Sequence, residues 1–334
     1  MKTDRVPPVT VLAMTRSPSR MSSRVGLAVV ALLVCAAPSE ARIYWSDFNN
    51  ASGSTLGAAN PDGTGVNSSL VSGAIGPCGV AVDGGHLYWA NFLGATIGRA
   101  SKNGSNADLS FISTGTAPCG VGVNGQFVYW ADTGFGFGTT VGRADLDGNN
   151  ADDSFITGGS GPCGVAVDSQ HIYWANNASG TIGRANLDGT GVDQAFISNA
   201  GATPCGVAVD NAHVYWANSF GGTTIGRADL DGSNVISSFI AGLPSPGGVA
   251  VGGGFIYWAE VAGGAIGRAN LDGSGVNTTF IPTGSSPLGV ALDPPTTSIP
   301  TLSTLGLGLF AVALFAVALL TLAHRRRGEL PGAT

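Results

Sequence analysis

An all-β chain assembled from repeated four-stranded sheets is predicted by three observations. The dipeptide Tyr-Trp recurs at Tyr44-Trp45, Tyr88-Trp89, Tyr129-Trp130, Tyr173-Trp174, Tyr215-Trp216 and Tyr257-Trp258, which accounts for every Tyr and Trp of the 334 residues. Successive pairs stand 41 to 44 residues apart, matching a four-stranded propeller blade of about 40–45 residues. The chain also holds 53 glycines and only 11% charged residues, against usual values of about 7% glycine and about 25% charge. Such a composition is too turn-rich for a helical protein and too apolar and aromatic for a disordered one.

In chain order, residues 1–41 read as a secretory signal peptide. Scattered arginines up to Arg24 precede the apolar run VGLAVVALLVCAA and the small residues of PSEA, ending at Ala41. A basic region, an apolar region and a small-residue site in that order are what signal peptidase processes. Met21 stands just before the pattern and is an alternative start to Met1, and Cys35 falls inside the apolar run.

Residues 42–293 form the repeat domain, and the phrase GPCGVAVDSQHIYWANNASGTIGRANLDG at 161–189 displays one unit. GVAVD alternates small and apolar residues, as an innermost strand crowded near an axis requires. HIYWAN sends Tyr and Trp to opposite faces, so both faces of the sheet must be covered. TIGRANL alternates again, and Asp-Gly followed by Thr, Ser or Asn is a hairpin signal into a fourth strand such as AFIS. The chain enters the domain at RIYWSDF, a second strand, and leaves it at SPLGVALD, a first strand. The expected fold is therefore a six-bladed β-propeller closed by strands from both ends of the domain, which leaves no open sheet edge around the ring.

The recurring pattern Pro-x-Gly-Val-Ala-Val-Asp, Tyr-Trp-Ala-Asp or Asn, Ile-Gly-Arg-Ala-Asn-Leu-Asp-Gly resembles the YWTD repeat of the low-density lipoprotein receptor class B type, over about 250 residues. The resemblance implies a six-bladed propeller. The chain departs from it after Trp, where Ala90, Ala131, Ala175, Ala217, Ala259 and, in the first repeat, Ser46 stand in place of Thr. Six-bladed propellers also include metal-dependent lactonases and related hydrolases or lyases, which keeps an enzyme with a divalent metal in the central channel as an alternative.

Residues 294–298 are a short linker. Residues 299–327 combine Ile299, Pro300, Thr301 and Leu302 with an apolar run long enough to cross a bilayer and the cluster Arg325, Arg326 and Arg327. The arginines would hold residues 328–334 in the cytoplasm. This segment resembles the IPTL-CTERM sorting signal of Gram-negative bacteria, which implies handling by an exosortase-type enzyme; an ordinary single-pass anchor fits the span equally. Either way the repeat domain is expected in the cell envelope, at the surface or in the extracellular matrix.

Between residues 43 and 293 the chain carries 18 Asp and Glu against 6 Lys and Arg, which excludes a nucleic-acid partner because phosphate binding needs clustered cations. Arg99, Arg143, Arg184, Arg227 and Arg268 recur in the third strand, with Ala58 in the first repeat. Structural ion pairs are expected for them, with Asp83, Asp168 and Asp210 or with Asp132 and Glu260. Cys78, Cys119, Cys163 and Cys205 share one repeat position that Gly247 and Leu288 fill elsewhere. Small buried thiols are the leading expectation. Cys78–Cys119 and Cys163–Cys205 disulfides would need a very tight ring mouth, and a metal site would need convergent ligands. His86, His171 and His213 alternate with Phe127 and Phe255 at the start of the second strand, a packing position. No cofactor is expected. The oxygen-rich DLDGNNADD at 145–153 lacks EF-hand spacing, although calcium stays open there.

Variation concentrates just after each aromatic pair, on the face where propellers commonly bind ligands. Phe48, Phe92, Phe135, Phe137 and Phe220 stand there beside Asn91, Asp132, Asn176, Asn218 and Glu260. Aromatic faces with nearby amides and carboxylates suit a glycan or protein partner. The expected function is a non-enzymatic exported binding protein, with the metal-dependent enzyme and a ligand-free matrix spacer as alternatives.

Overall fold

The structure is a computed structural model that describes residues 41–48, 54–219 and 221–293. The segments read above as leader, apart from Ala41, as linker, as sorting signal and as cytoplasmic tail, together with Phe220, lie outside the described residues. Among the described residues no helix is long and apolar enough to cross a membrane.

Six four-stranded antiparallel sheets follow one another, as the repeat predicts. Blade 4 is typical, with strands Pro162–Val167, His171–Asn176, Thr181–Asn186 and Asp193–Ile197 running from the axis outward. In blade 1 the innermost strand is the last of the domain, Pro287–Leu292, paired antiparallel to Ile43–Asp47. The two ends of the domain thus zip into one sheet, and Asp293 N–H donates to the Arg42 carbonyl at 2.9 Å.

The Tyr and Trp of each pair face opposite neighbours. Tyr44 packs in one buried cluster with Trp89, Tyr88 with Trp130, and so on around the ring to Tyr257 with Trp45, which seals blade 6 against blade 1. All six indoles are fully buried, each removing roughly 150–250 Å² from water and contributing roughly 4–6 kcal/mol. Such depth requires a glycine opposite each indole. Gly57, Gly98, Gly142, Gly183, Gly226 and Gly267 pair with the tryptophans across the second and third strands, and a Cβ there would lie 2.2–2.3 Å from the ring.

A second ring of glycines sets the radius of the molecule. A Cβ on Gly79, Gly120, Gly164, Gly206, Gly248 or Gly289 would come within 2.0–2.8 Å of the next blade's backbone. Innermost strands therefore touch backbone to backbone.

The recurring arginines do not form the expected ion pairs. Each guanidinium lies over the phenylalanine of its own fourth strand, 3.7 Å for Arg99 on Phe111, 3.8 Å for Arg143 on Phe155 and Arg184 on Phe196, 4.1 Å for Arg227 on Phe239 and 3.8 Å for Arg268 on Phe280. Arg99, Arg143 and Arg184 also donate to the carbonyls of Leu146, Leu187 and Leu230 on the following blade, and Arg268 to that of Pro61. Half-exposed over a ring face, the cation keeps part of its hydration and needs no carboxylate. The acids serve the tyrosines instead. The hydroxyls of Tyr88, Tyr173 and Tyr215 donate to Asp83, Asp168 and Asp210 at 3.0–3.2 Å. Burial and then the adjacent carboxylate push these hydroxyls well above the ordinary tyrosine value.

Blade 1 lacks the arginine, and its neighbour supplies the cation. Lys102 of blade 2 reaches Asp293, which follows the closing strand, at 2.8 Å. The pair spans 191 residues and ties the C-terminal strand to the next blade.

Candidate functional site

The connections from second to third strand and from fourth to first strand share one end of the ring, the loop face. At its centre is a bowl of about 530 Å³. Its wall includes Phe48, Phe92, Phe135, Val261 and Leu288, and its floor carries Cys78, Cys119 and Cys163. Phe92 meets Phe135 edge-on at 4.8 Å and Phe48 at 6.4 Å.

The aromatic wall is held in place by the backbone beneath it. In blade 3 the loop makes a short 3-10 turn, Gly134–Gly136, with Phe135 in the left-handed region at φ 56. A left-handed phenylalanine is costly, of order 1–3 kcal/mol, and persists only where neighbours impose it. Here Asp132 accepts from Gly134 N–H at 3.0 Å, Gly138 N–H bonds the Thr133 carbonyl at 2.9 Å, and the Thr133 hydroxyl donates to the Pro162 carbonyl of blade 4 at 2.8 Å. The outcome is two presented rings, Phe135 at 67% exposure and Phe137 at 89%. Exposed Ile75 and Leu93 extend the apolar surface beside Phe48, since a Cβ on Gly76 would touch both Leu93 and Phe48.

The polar half of the expected site has another task. Asn91, Asp132, Asn176, Asn218 and Glu260 are buried and bind their own blades, which removes them as ligand contacts. Asn91 Oδ1 accepts from the Trp89 indole at 2.9 Å and from Ile75 N–H at 3.0 Å, while its Nδ2 donates to the Leu109 carbonyl at 2.7 Å. Asn176 accepts from Ser160 N–H and donates to the Gln194 carbonyl, and Asn218 donates to the Thr224 hydroxyl. Glu260 accepts from the Trp258 indole, and its burial raises its pKa. Asn91, Asn176, Asn218 and Glu260 thus fasten the loop base to the fourth strand or the linker, while Asp132 holds its own loop through Gly134 N–H and the Thr140 hydroxyl. Pairing across a sheet cannot be read from spacing alone, so the sequence could not separate this role from ligand contact.

One residue further along lies a column of which sequence reasoning picked out Phe48 and Phe92 and passed over Val261, Thr133, Asn177 and Ser219. Phe48, Phe92 and Val261 turn apolar side chains into the bowl. Their counterparts Thr133, Asn177 and Ser219 donate to the carbonyls of Pro162, Pro204 and Pro246 on the next blades. The signal was present in an alignment of the six repeats, where this position divides into apolar and hydrogen-bonding residues.

The cysteines also correct the sequence reading. Cys78 is bonded to Cys119 and Cys163 to Cys205, with Cα separations of 5.0 and 4.9 Å. The glycine beside each cysteine brings neighbouring strands close enough, so the ring has the very tight mouth that these disulfides require, and the expected free thiols are paired instead. The histidines are packing residues, each ring lying 5.8–6.2 Å from its tyrosine. In the 145–153 stretch Asp147 and Asp152 accept from N–H groups two residues on, and Asp145 from the Asn150 amide.

In sequence, residues 170–211 and 254–294 match the low-density lipoprotein receptor repeat class B. No protein of curated function matches the chain significantly. Among solved structures, a chain of the nidogen–laminin complex superposes with a TM-score of 0.63 at 18% identity, over 75% of this chain and 98% of that one. A gluconolactonase from Xanthomonas campestris gives 0.55 at 17%, covering 73% and 87%, and a streptogramin B lyase 0.51 at 17%, covering 76% and 87%. At such identities the likeness is one of fold. The chain is thus a six-bladed propeller carrying class B-type repeats.

Proposed function

We propose that this chain is an exported binding protein whose loop-face bowl receives an apolar side chain, presented by a loop or terminus of a protein partner. The observation that carries the reading is the rigid, apolar bowl with Phe135 and Phe137 raised at its rim. Buried aromatic anchors in preformed pockets are where protein interfaces concentrate their affinity. Between the two classes of partner first expected, the apolar wall favours protein over glycan. A sugar needs amides and carboxylates aimed at it, and those of Asn91, Asp132, Asn176, Asn218 and Glu260 are engaged within the blades. The leader pattern and the C-terminal segment support delivery to the envelope, with the bowl on the far side of the membrane.

The enzyme alternative requires acids and an imidazole or amide converging on the channel. The described residues lining the channel from the bowl to the opposite mouth include no carboxylate and no imidazole. The test is binding of the full chain, in detergent, to a peptide panel bearing exposed Trp, Phe or Leu, alongside a glycan panel. Apolar peptides are expected to bind and to lose at least about tenfold in affinity, and up to several kcal/mol, in Phe135→Ala/Phe137→Ala. Selective glycan binding that survives the double substitution overturns the reading.

A further inference from the structure

Four cysteines meet at the axis beneath the bowl, with chemistry that the binding reading does not use. The two disulfides lie side by side, with Cys119 Sγ and Cys163 Sγ 3.9 Å apart. The Sγ atoms of Cys119, Cys163 and Cys205 all fall within 4.8 Å of one another. The three seams between these blades are alike in backbone approach. A Cβ on Gly79 would meet the Cys119 carbonyl oxygen at 2.5 Å, one on Gly120 that of Cys163 at 2.4 Å, and one on Gly164 that of Cys205 at 2.0 Å. Cys119 therefore stands where it can bond either neighbour. Access is one-sided, since Cys78, Cys119 and Cys163 line the bowl while Cys205 lines only the smaller space of about 80 Å³ below it.

We infer that the bowl floor is a thiol-exchange site, which captures an aliphatic thiol at Cys78 and relays the free thiol across the ring to Cys205. The thiolate of a compound RSH attacks Cys78 Sγ. An RS–Cys78 bond forms, the Cys78–Cys119 bond breaks, and Cys119 leaves as a thiolate. That thiolate attacks Cys163 Sγ, forming Cys119–Cys163 and breaking Cys163–Cys205. Cys205 leaves as a thiolate and takes up the proton that RSH released. Two disulfides and one thiol are present before and after, so no oxidant or reductant is consumed. Exchange proceeds by thiolate attack on an accessible sulfur, and the second step is intramolecular between sulfurs already in contact, which is where proximity accelerates most. The second step also stabilises the adduct, because Cys119 is no longer free to expel RSH.

The site does not depend on the bowl's protein partner, and its probe is glutathione. The folded full chain in detergent is incubated with glutathione, free thiols are alkylated, and peptides are mapped by mass spectrometry. The expected product carries glutathione on Cys78, a Cys119–Cys163 link and alkylated Cys205. An adduct with Cys119 alkylated and Cys163–Cys205 intact, glutathione on any other cysteine, or no adduct without denaturant overturns the inference. A Cys163→Ala/Cys205→Ala variant, checked for folding by circular dichroism, should accumulate roughly tenfold less adduct because Cys119 re-attacks it; an undiminished yield overturns the relay. Should the variant not fold, the wild-type map decides alone. Peptide binding is read with separate probes, so its failure and the failure of this inference are distinguishable.

Discussion

Gly183 sits so close to the Trp174 indole that a methyl group would lie 2.2 Å from it. The contact lies within one fully buried cluster, where neither the ring nor the strand has room to retreat. Overpacking of this kind costs about 1–3 kcal/mol, so Gly183→Ala should lower the melting temperature by roughly 2–12 °C for a domain of this size. A thermal melt followed by circular dichroism checks it, with Gly125→Ala, at an open turn position of ordinary φ, as a control for composition.

Glu260 makes a pH prediction at the same scale. Burial raises its pKa, opposed by hydrogen bonds from Trp258 and Ser245, and Asp47 is raised in the same way. A raised acid contributes stability that is full below its unfolded value, about 4.3 for glutamate, and is lost as pH rises through the folded value. The exposed turn acids Asp62, Asp147, Asp188, Asp231 and Asp272 have the opposite sign. Hydrogen bonds from the residue two places on lower their pKa values, so their contribution is lost only as pH falls below about 3.9. Glu260→Gln keeps an acceptor for the Trp258 indole and removes the buried charge. Its melting temperature should decline less than wild type between about pH 4 and pH 7 and should not be lower at the upper end. A steeper decline in the variant would contradict the assignment.

At the scale of elements, the Pro287–Leu292 strand carries the closure. It is joined by pairing to Ile43–Asp47, by Ser46, whose hydroxyl bridges Gly289 N–H and the Cys78 carbonyl, and by Lys102 on Asp293. Ser46 is the one repeat position after Trp that is not alanine, and the structure gives the reason: it staples the closing strand to blade 2. Asp293 is buried while Lys102 is partly exposed. Removing the cation strands a buried carboxylate, which costs several kcal/mol when burial is complete and about 1–3 kcal/mol here. Lys102→Met should therefore destabilise by about that amount, and Asp293→Asn in the same background should recover part of it. Denaturant unfolding of the four proteins of the cycle gives the coupling; additive losses would remove the latch.

At the scale of the whole molecule, six equivalent seams make a rigid frame, and the departures from equivalence cluster on one side of the loop face. Phe48, Ile75, Phe92, Leu93, Phe135 and Phe137 all belong to blades 1–3 and the connections between them. A frame held by buried Tyr-Trp clusters does not need the rim rings. Phe135→Ala/Phe137→Ala should consequently shift the melting temperature by no more than about 4 °C, because each substitution at an exposed site falls within about 0.5 kcal/mol, while weakening peptide binding at least about tenfold. A large loss of stability would make the rings structural.

The repeat period, the strand order and the ring closure were legible because they are local patterns repeated six times. The Tyr-Trp interval sets the blade, alternation sets the strands, and RIYWSDF with SPLGVALD shows which strands close it. What Arg99 rests on, which cysteines bond, and whether Asn91 faces a ligand or its own tryptophan were settled by tertiary structure. The first and last depend on which side chains meet across the strands of one blade, and the cysteine pairing on the distance between blades, which follows from the ring radius, where six inner glycines bring backbone against backbone at the axis. A radius is a property of the closed circle and of no single repeat, so the sequence determined the parts and their order, and only the paired strands and the closed ring decided which side chains meet.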